Sequence, residues 1–154
     1  MTQAEPLLPS KVVQQRVREL RRAHDWTAEQ LAAEMTKAGF SWGRQTVTNF
    51  EIGRRSLGID ELIGLAVVLD VALIHLLTPP YPSPLWGGNG DSRDPDDPND
   101  PSDAAPYRIT PGQDVPVWRA RQFIRGWRPL PGQDANQFFL QQPPHERTRG
   151  EGDY

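Results

Sequence analysis

"SWGRQTVTNFEIGRR", residues 41–55, is the stretch on which the reading of this chain turns. Wound as a helix over about residues 43–52, it puts Val47 and Phe50 on one side. Gln45, Thr48 and Asn49 fall on the other side, with Arg44 just before them at the start of the helix. Two large apolar residues can seat a short helix on a core. The opposite face then offers amides, a hydroxyl and a guanidinium to whatever lies outside. Gln and Asn amides carry the paired donor and acceptor of an adenine edge in the major groove, and Arg fits guanine in the same two-pronged way. Gly53 closes the helix, and the cations Arg54 and Arg55 follow it. Cations beside a base-reading helix suit phosphates, which fix register without carrying sequence.

The neighbouring segments supply a frame for that helix. Upstream, "WTAEQLAAEMTKAGF" opens with Thr27 as N-cap and Gln30 three residues on, the capping-box pattern. A second helix over 28–38 follows, with Leu31 and Met35 inward, and Gly39 ends it. Small Ala32 lets the third helix approach closely. "SKVVQQRVRELRRAHD", residues 10–25, reads as a first helix with Ser10 as N-cap. Val13, Val17 and Leu20 share one of its faces, and Trp26 plugs the core after it. Downstream, "IDELIGLAVVLD" forms a fourth helix, with Leu62, Leu65, Ala66 and Leu69 inward. Asp60 and Glu61 stand in its first turn, where the helix dipole favours them. A short fifth helix, "ALIHLL", stops at "TPP", because proline cannot continue it. The expected fold is all-α, five short helices in which the second and third form a helix-turn-helix.

At this point the residues resemble a known family. "RVRELRRAHDWTAEQLAAEM…GRQTVTNFEIGRR…IDELIGLAVVLDVALIHLL" is similar to the Cro/repressor-type helix-turn-helix proteins, often called the XRE family. The resemblance spans residues 10–78 and is most specific at "WTAEQLA", "TVTNFEIGRR" and "LDVALIHLL". It implies a domain that binds double-stranded operator DNA, commonly as a homodimer on a two-fold symmetric site. It further implies phosphate contacts near Thr27, Gln30, Arg54 and Arg55, beside the base contacts that side-chain chemistry suggests for Arg44, Gln45, Thr48 and Asn49. A buried Arg–Glu pair seen in some members would fall on Arg21 and Glu51. The chain departs from the family in two places. "TKAGFSW" makes a longer turn between helices two and three, which implies an extended second helix, and Ala28 replaces a Gln that contacts DNA in some members.

The remaining sequence sets limits on function. The 154 residues carry a net charge of −3, unpromising for a polyanion partner until it is divided by segment. Acidic and basic side chains balance in residues 1–80, and the excess acid lies between 81 and 106, where six Asp face one Arg. The domain organisation expected is a flexible stretch over 1–9, the DNA-binding domain over 10–79, a disordered acidic Pro/Gly/Asp linker over 80–106, and a tail over 107–154. The tail is expected to be mostly unstructured. It holds one dense patch, "VPVWRARQFIRGWRPL", in which Trp118, Arg121, Phe123 and Trp127 are of the types that anchor interfaces. That patch reads either as a docking segment for a partner protein or as a strand or short helix folded back on the domain. "PGQD" occurs at 111–114 and again at 131–134, and both copies read as turns.

There is no cysteine, hence no disulfide and no Cys-based zinc site. The N-terminus lacks the basic start and long apolar core of a signal peptide, and no apolar run would span a bilayer. These features suggest a cytoplasmic protein with no membrane partner. His24, His75 and His145 are scattered, and Asp94, Asp96, Asp97 and Asp100 lack the Gly and Glu of a calcium loop. No nucleophile–base arrangement, phosphate loop or metal spacing is present, so neither catalysis nor a cofactor is expected. The function expected is a sequence-specific transcriptional regulator. The alternative is an antitoxin-type or adaptor protein whose C-terminal tail binds a partner protein.

Overall fold

The computed structural model describes residues 5–80 and 105–143. Leu7–Pro80 forms one compact unit, and residues 105–143 belong to a second. The ends of the expected flexible N-terminus and tail, and nearly all of the expected linker, lie outside the described residues.

Five helices build the first unit: α1 (Pro9–Ala23), α2 (Ala28–Lys37), α3 (Arg44–Glu51), α4 (Ile59–Val68) and α5 (Ile74–Leu77). Their apolar stripes converge on a single core of Val13, Val17, Leu31, Met35, Val47, Phe50, Leu65, Leu69 and Leu76, with Ala32, Trp42 and Ala66 between them. Trp26 and Leu20 pack against its edge. Burying this many aliphatic side chains contributes roughly 1.5–3 kcal/mol apiece, which is what holds helices this short in place.

Helix ends differ from the sequence expectation in instructive ways. α1 starts at Pro9 with Leu8 at the cap, so Ser10 lies inside the helix. Proline suits the first helical position because its φ is preset and the N–H it lacks would go unbonded there. α1 stops at Ala23 and α4 at Val68, each two residues short of the expected end. In both cases an Asp adopts the left-handed conformation, Asp25 at φ 57° and Asp70 at φ 57°. Asp tolerates that conformation better than most residues, and the chain then turns back. Trp26 N–H donates to the Arg21 carbonyl at 3.1 Å, and Val71 N–H to that of Ala66 at 3.0 Å. Gly39, at φ 101°, does the same for α2, where Phe40 N–H reaches the Met35 carbonyl at 3.0 Å. α5 is shorter than expected by its first two residues, Ala72 and Leu73.

The second unit corrects the expectation of an all-α chain with a mostly unstructured tail. Strands β1 (Pro106–Thr110) and β2 (Gln113–Pro116) pair antiparallel, with Tyr107 opposite Val115 and Arg108 opposite Asp114. Two helices follow, α6 (Val117–Ile124) and α7 (Ala135–Leu140). The signal was present in alternating "YRI" and "DVPV", but those runs are too short to stand out against the polar tail around them. The second PGQD copy is a turn, whereas in the first only Pro111 and Gly112 are, Gln113 and Asp114 opening β2. The first joins the strands, and the second leads into α7, where Asp134 caps the helix by accepting from Gln137 N–H at 2.9 Å. The two copies also touch: the Gln113 side chain donates to the Pro131 carbonyl at 3.1 Å. Tyr107, Val115, Val117, Ala120 and Leu130 are buried in this unit. Burial pushes the Tyr107 phenol up to about 12.

Candidate nucleic-acid interface

The outward face of α3 is built by what holds its inward face. Val47 is fully buried and Phe50 nearly so, which fixes the rotation of the helix about its axis. Arg44 and Gln45 are consequently exposed, and Thr48 and Asn49 half-exposed, on one surface. Gln45 Nε2 donates to Asn49 Oδ1 at 3.2 Å, so the two amides stand side by side. This leaves Gln45 Oε1 and the Asn49 NH2 group to face outward as an acceptor and a donor. The Thr48 hydroxyl lies 3.3 Å from the Arg44 carbonyl and 3.2 Å from that of Gln45, so its hydrogen is spent within the helix. What Thr48 can offer a base is chiefly its methyl, which suits the methyl of thymine.

Arginine fastens α3 to α1 from the other side. Arg21 Nε donates to Glu51 Oε1 at 2.7 Å and its Nη2 to Oε2 at 3.1 Å, a two-pronged pair with the Glu51 side chain only 6% exposed. Arg21 also donates to the Trp26 carbonyl at 2.8 Å. Arg18 adds a second cation, its Nε 3.7 Å from Glu51 Oε2. Sequence reasoning paired Arg21 with Glu51 through the family resemblance. Arg18 went unnoticed, although it lies three residues before Arg21 and so shares its face.

Around α3 the cations are of two kinds. Arg54 is exposed, and its guanidinium has no ion-pair partner among the described residues. Lys11 of α1 is exposed as well, and its Nζ would lie 3.6 Å from a β-carbon placed on Gly53. It therefore joins Arg54 at the C-terminal end of α3, a neighbour that sequence separation conceals. Arg55 is different. Its Nη2 donates to Glu61 Oε1 at 2.6 Å and its Nη1 to Oε2 at 3.1 Å, and the guanidinium stands 5.2 Å over the Trp42 ring. The phosphate role expected of Arg55 is therefore in competition with an intramolecular carboxylate. Glu61 also accepts from the Trp42 indole at 3.2 Å and from Gly58 N–H at 3.1 Å. The hydrogen bond from Arg55 is the main reason its carboxyl is held below the usual carboxylate range. Sequence reading credited Glu61 only with favouring the helix dipole.

At the start of α2 the capping box is complete: Gln30 N–H donates to Thr27 Oγ1 at 3.2 Å, and Thr27 N–H to Gln30 Oε1 at 2.7 Å. Thr27 and Gln30 are both exposed. With its oxygen engaged, Gln30 keeps an outward NH2 as a donor. The long turn, residues 38–43, is tied down at Phe40 and at Trp42. The Thr36 hydroxyl lies 3.1 Å from the Trp42 carbonyl, and the Phe40 ring occupies the space where a Gly64 side chain would be.

The four residues singled out in the tail do not form one exposed patch. On α6, Arg121 is buried with Val117 and Ala120, and Trp118 and Phe123 are half-buried. Phe123 packs toward Phe138, with ring centroids 6.1 Å apart. Trp127 stays exposed, with the Arg125 guanidinium 4.7 Å over its ring. Folding of the tail thus uses most of the apolar surface that suggested a docking segment.

Among the described residues no group of acidic and His side chains could hold a metal ion, and no helix is long and apolar enough to cross a membrane. In comparison with known families, residues 17–76 fit the model described as helix-turn-helix. The matched segment begins within α1 and ends within α5, and so contains α2, α3 and α4 whole. No curated protein and no solved structure matches the chain.

Proposed function

We propose that residues 17–76, a helix-turn-helix segment of the Cro/repressor type, read a specific DNA sequence through α3 and make the chain a transcriptional regulator. The observation that carries this reading is the division of α3. Val47 and Phe50 are buried, whereas Arg44, Gln45, Thr48 and Asn49 share the opposite face. The Arg44 guanidinium, Gln45 Oε1 and the Asn49 NH2 group, which the bonds within the helix leave over, are the groups that base edges would satisfy in the groove. Thr27, Gln30, Arg54 and Lys11 supply the phosphate contacts that set register. Regulators of this kind pair on two-fold sites, and Ile59, Ile63 and Val67 give α4 an apolar outer stripe, 77%, 50% and 72% exposed, for a second copy of the chain.

The test has two stages. Selection from a random duplex pool should return a sequence bound far more tightly than the pool itself. Titration of variants against that site and random DNA should then separate two classes. Gln45→Ala and Asn49→Ala should each cost about 1–3 kcal/mol on the selected site and little on random DNA. Arg54→Ala should weaken both and lower the salt slope by about one. Failure of the pool to converge on any sequence would refute the proposal. For the pairing, sedimentation of the chain with and without the selected duplex should show two copies per site, and Ile63→Glu should leave one.

A further inference from the structure

We infer that Glu61 is a positioning residue for DNA reading: it ties both ends of α3 to α4 and withholds Arg55 from phosphates. The inference rests on the function proposed above. Trp42 lies two residues before α3 and Arg55 four residues after it, and one carboxylate holds both. Its two oxygens accept from Arg55 Nη1 and Nη2, the Trp42 indole and Gly58 N–H. A carboxylate has about four acceptor positions, and these four donors fill them.

The arrangement answers a mechanical need. α3 is only eight residues long, too short to be stable by itself, and its N-cap, Gly43, brings no side chain, so that its start is capped from within by Thr46 Oγ1, which accepts from Gly43 N–H at 3.1 Å. The turn before it runs over residues 38–43, long enough to let the helix swing if its end were loose. Trp42 is 6% exposed and sits under the Arg55 guanidinium, so turn, carboxylate and cation form one packed stack. Because base contacts depend on placement to within a fraction of an ångström, the angle of α3 is a determinant of sequence discrimination. The charge consequence is separate. Arg55 beside Glu61 adds no net charge to the surface near α3, whereas Arg54 adds a whole one.

Two substitutions in the full chain distinguish a clamp from a phosphate contact. In Arg55→Ala, the preference for the selected site over random DNA should fall about five- to tenfold, the low end of a lost bidentate base contact. Affinity for random DNA should fall only slightly, because the Glu61 carboxylate left behind repels phosphates, and the salt slope should change by less than the unit expected of Arg54→Ala, because no phosphate contact is lost. In Glu61→Gln, the amide cannot take the guanidinium fork, so Arg55 is released. Affinity for random DNA should rise and the salt slope steepen by about one, while site preference falls. Arg55 lies at the rim of the fold, so its variant tests the idea even if Glu61→Gln lowers the melting temperature below the assay range. A loss of one unit of salt slope in Arg55→Ala with site preference intact overturns the inference, as does a Glu61→Gln variant that matches the parent in both. If Gln45→Ala discriminates poorly while both clamp variants behave as the parent, the clamp alone is wrong. If Gln45→Ala and Asn49→Ala are themselves silent, the reading helix is wrong and the clamp goes with it.

Discussion

Single residues on α3 act in pairs more than their spacing suggests. Gln45 and Asn49 hydrogen-bond each other at 3.2 Å, so removing either frees the other to turn. Their effects on site binding should therefore not add. The double variant Gln45→Ala/Asn49→Ala should cost less than the two single losses together, with a coupling of about 0.5–3 kcal/mol, measured by a double-mutant cycle on the selected duplex. Strict additivity would mean that the amides act as independent readers and that the bond between them opens on binding. The polar face itself was legible in "RQTVTN", because helical periodicity alone separates Val47 and Phe50 from the rest. The committed state of Arg55 was not, because its partner lies six residues away across a loop whose path no local rule gives.

At the scale of elements, the long turn is accommodated by a glycine. Gly64 sits mid-helix in α4, where alanine would ordinarily gain about 1 kcal/mol of helix propensity. Yet a β-carbon there would lie 2.4 Å from Cε2 of Phe40. Overpacking of that kind costs about 1–3 kcal/mol, so the clash should outweigh the propensity. Gly64→Ala is expected to lower the melting temperature, and it should cost less in a Phe40→Ala background than in the parent, in thermal melts followed by circular dichroism. A rise in melting temperature for Gly64→Ala would mean that the ring leaves its seat at little cost. The helices of the first unit could be read from the sequence because each carries its own apolar stripe and most carry a visible stop, such as Gly39 before the turn. Their ends were misjudged where Asp25 and Asp70 take a conformation more commonly left to glycine. The hairpin of the tail escaped notice because its register depends on a partner strand, and Tyr107 declares itself as core only once Val115 stands opposite.

For the whole molecule, the two units should respond to different stresses. The core of the first unit is drawn from residues between Val13 and Leu77. A fragment of residues 1–80 should accordingly keep its helical circular dichroism and bind the selected duplex. Loss of helicity in that fragment would show that the tail completes the core. The second unit carries Tyr107, whose pKa burial raises from 10.0 to about 12. A raised value means that the neutral phenol favours the folded state. That contribution is whole below pH 10.0 and is lost as pH rises through about 12. The ultraviolet titration of the intact chain should show one late phenol, absent from Tyr107→Phe, and the 1–80 fragment should lack the alkaline transition that accompanies it. A chain whose phenols all ionise together near pH 10 would place Tyr107 in water.

The division of α3 also bears on how readily this protein could acquire a new target. Val47 and Phe50 bear its packing, and the Arg21–Glu51 pair fastens it to α1, so on the function proposed above Arg44, Gln45, Thr48 and Asn49 would form an alphabet that can be rewritten without disturbing the page. Randomising those four codons in a library, and selecting on a chosen operator, would explore new specificities among variants that nearly all still fold.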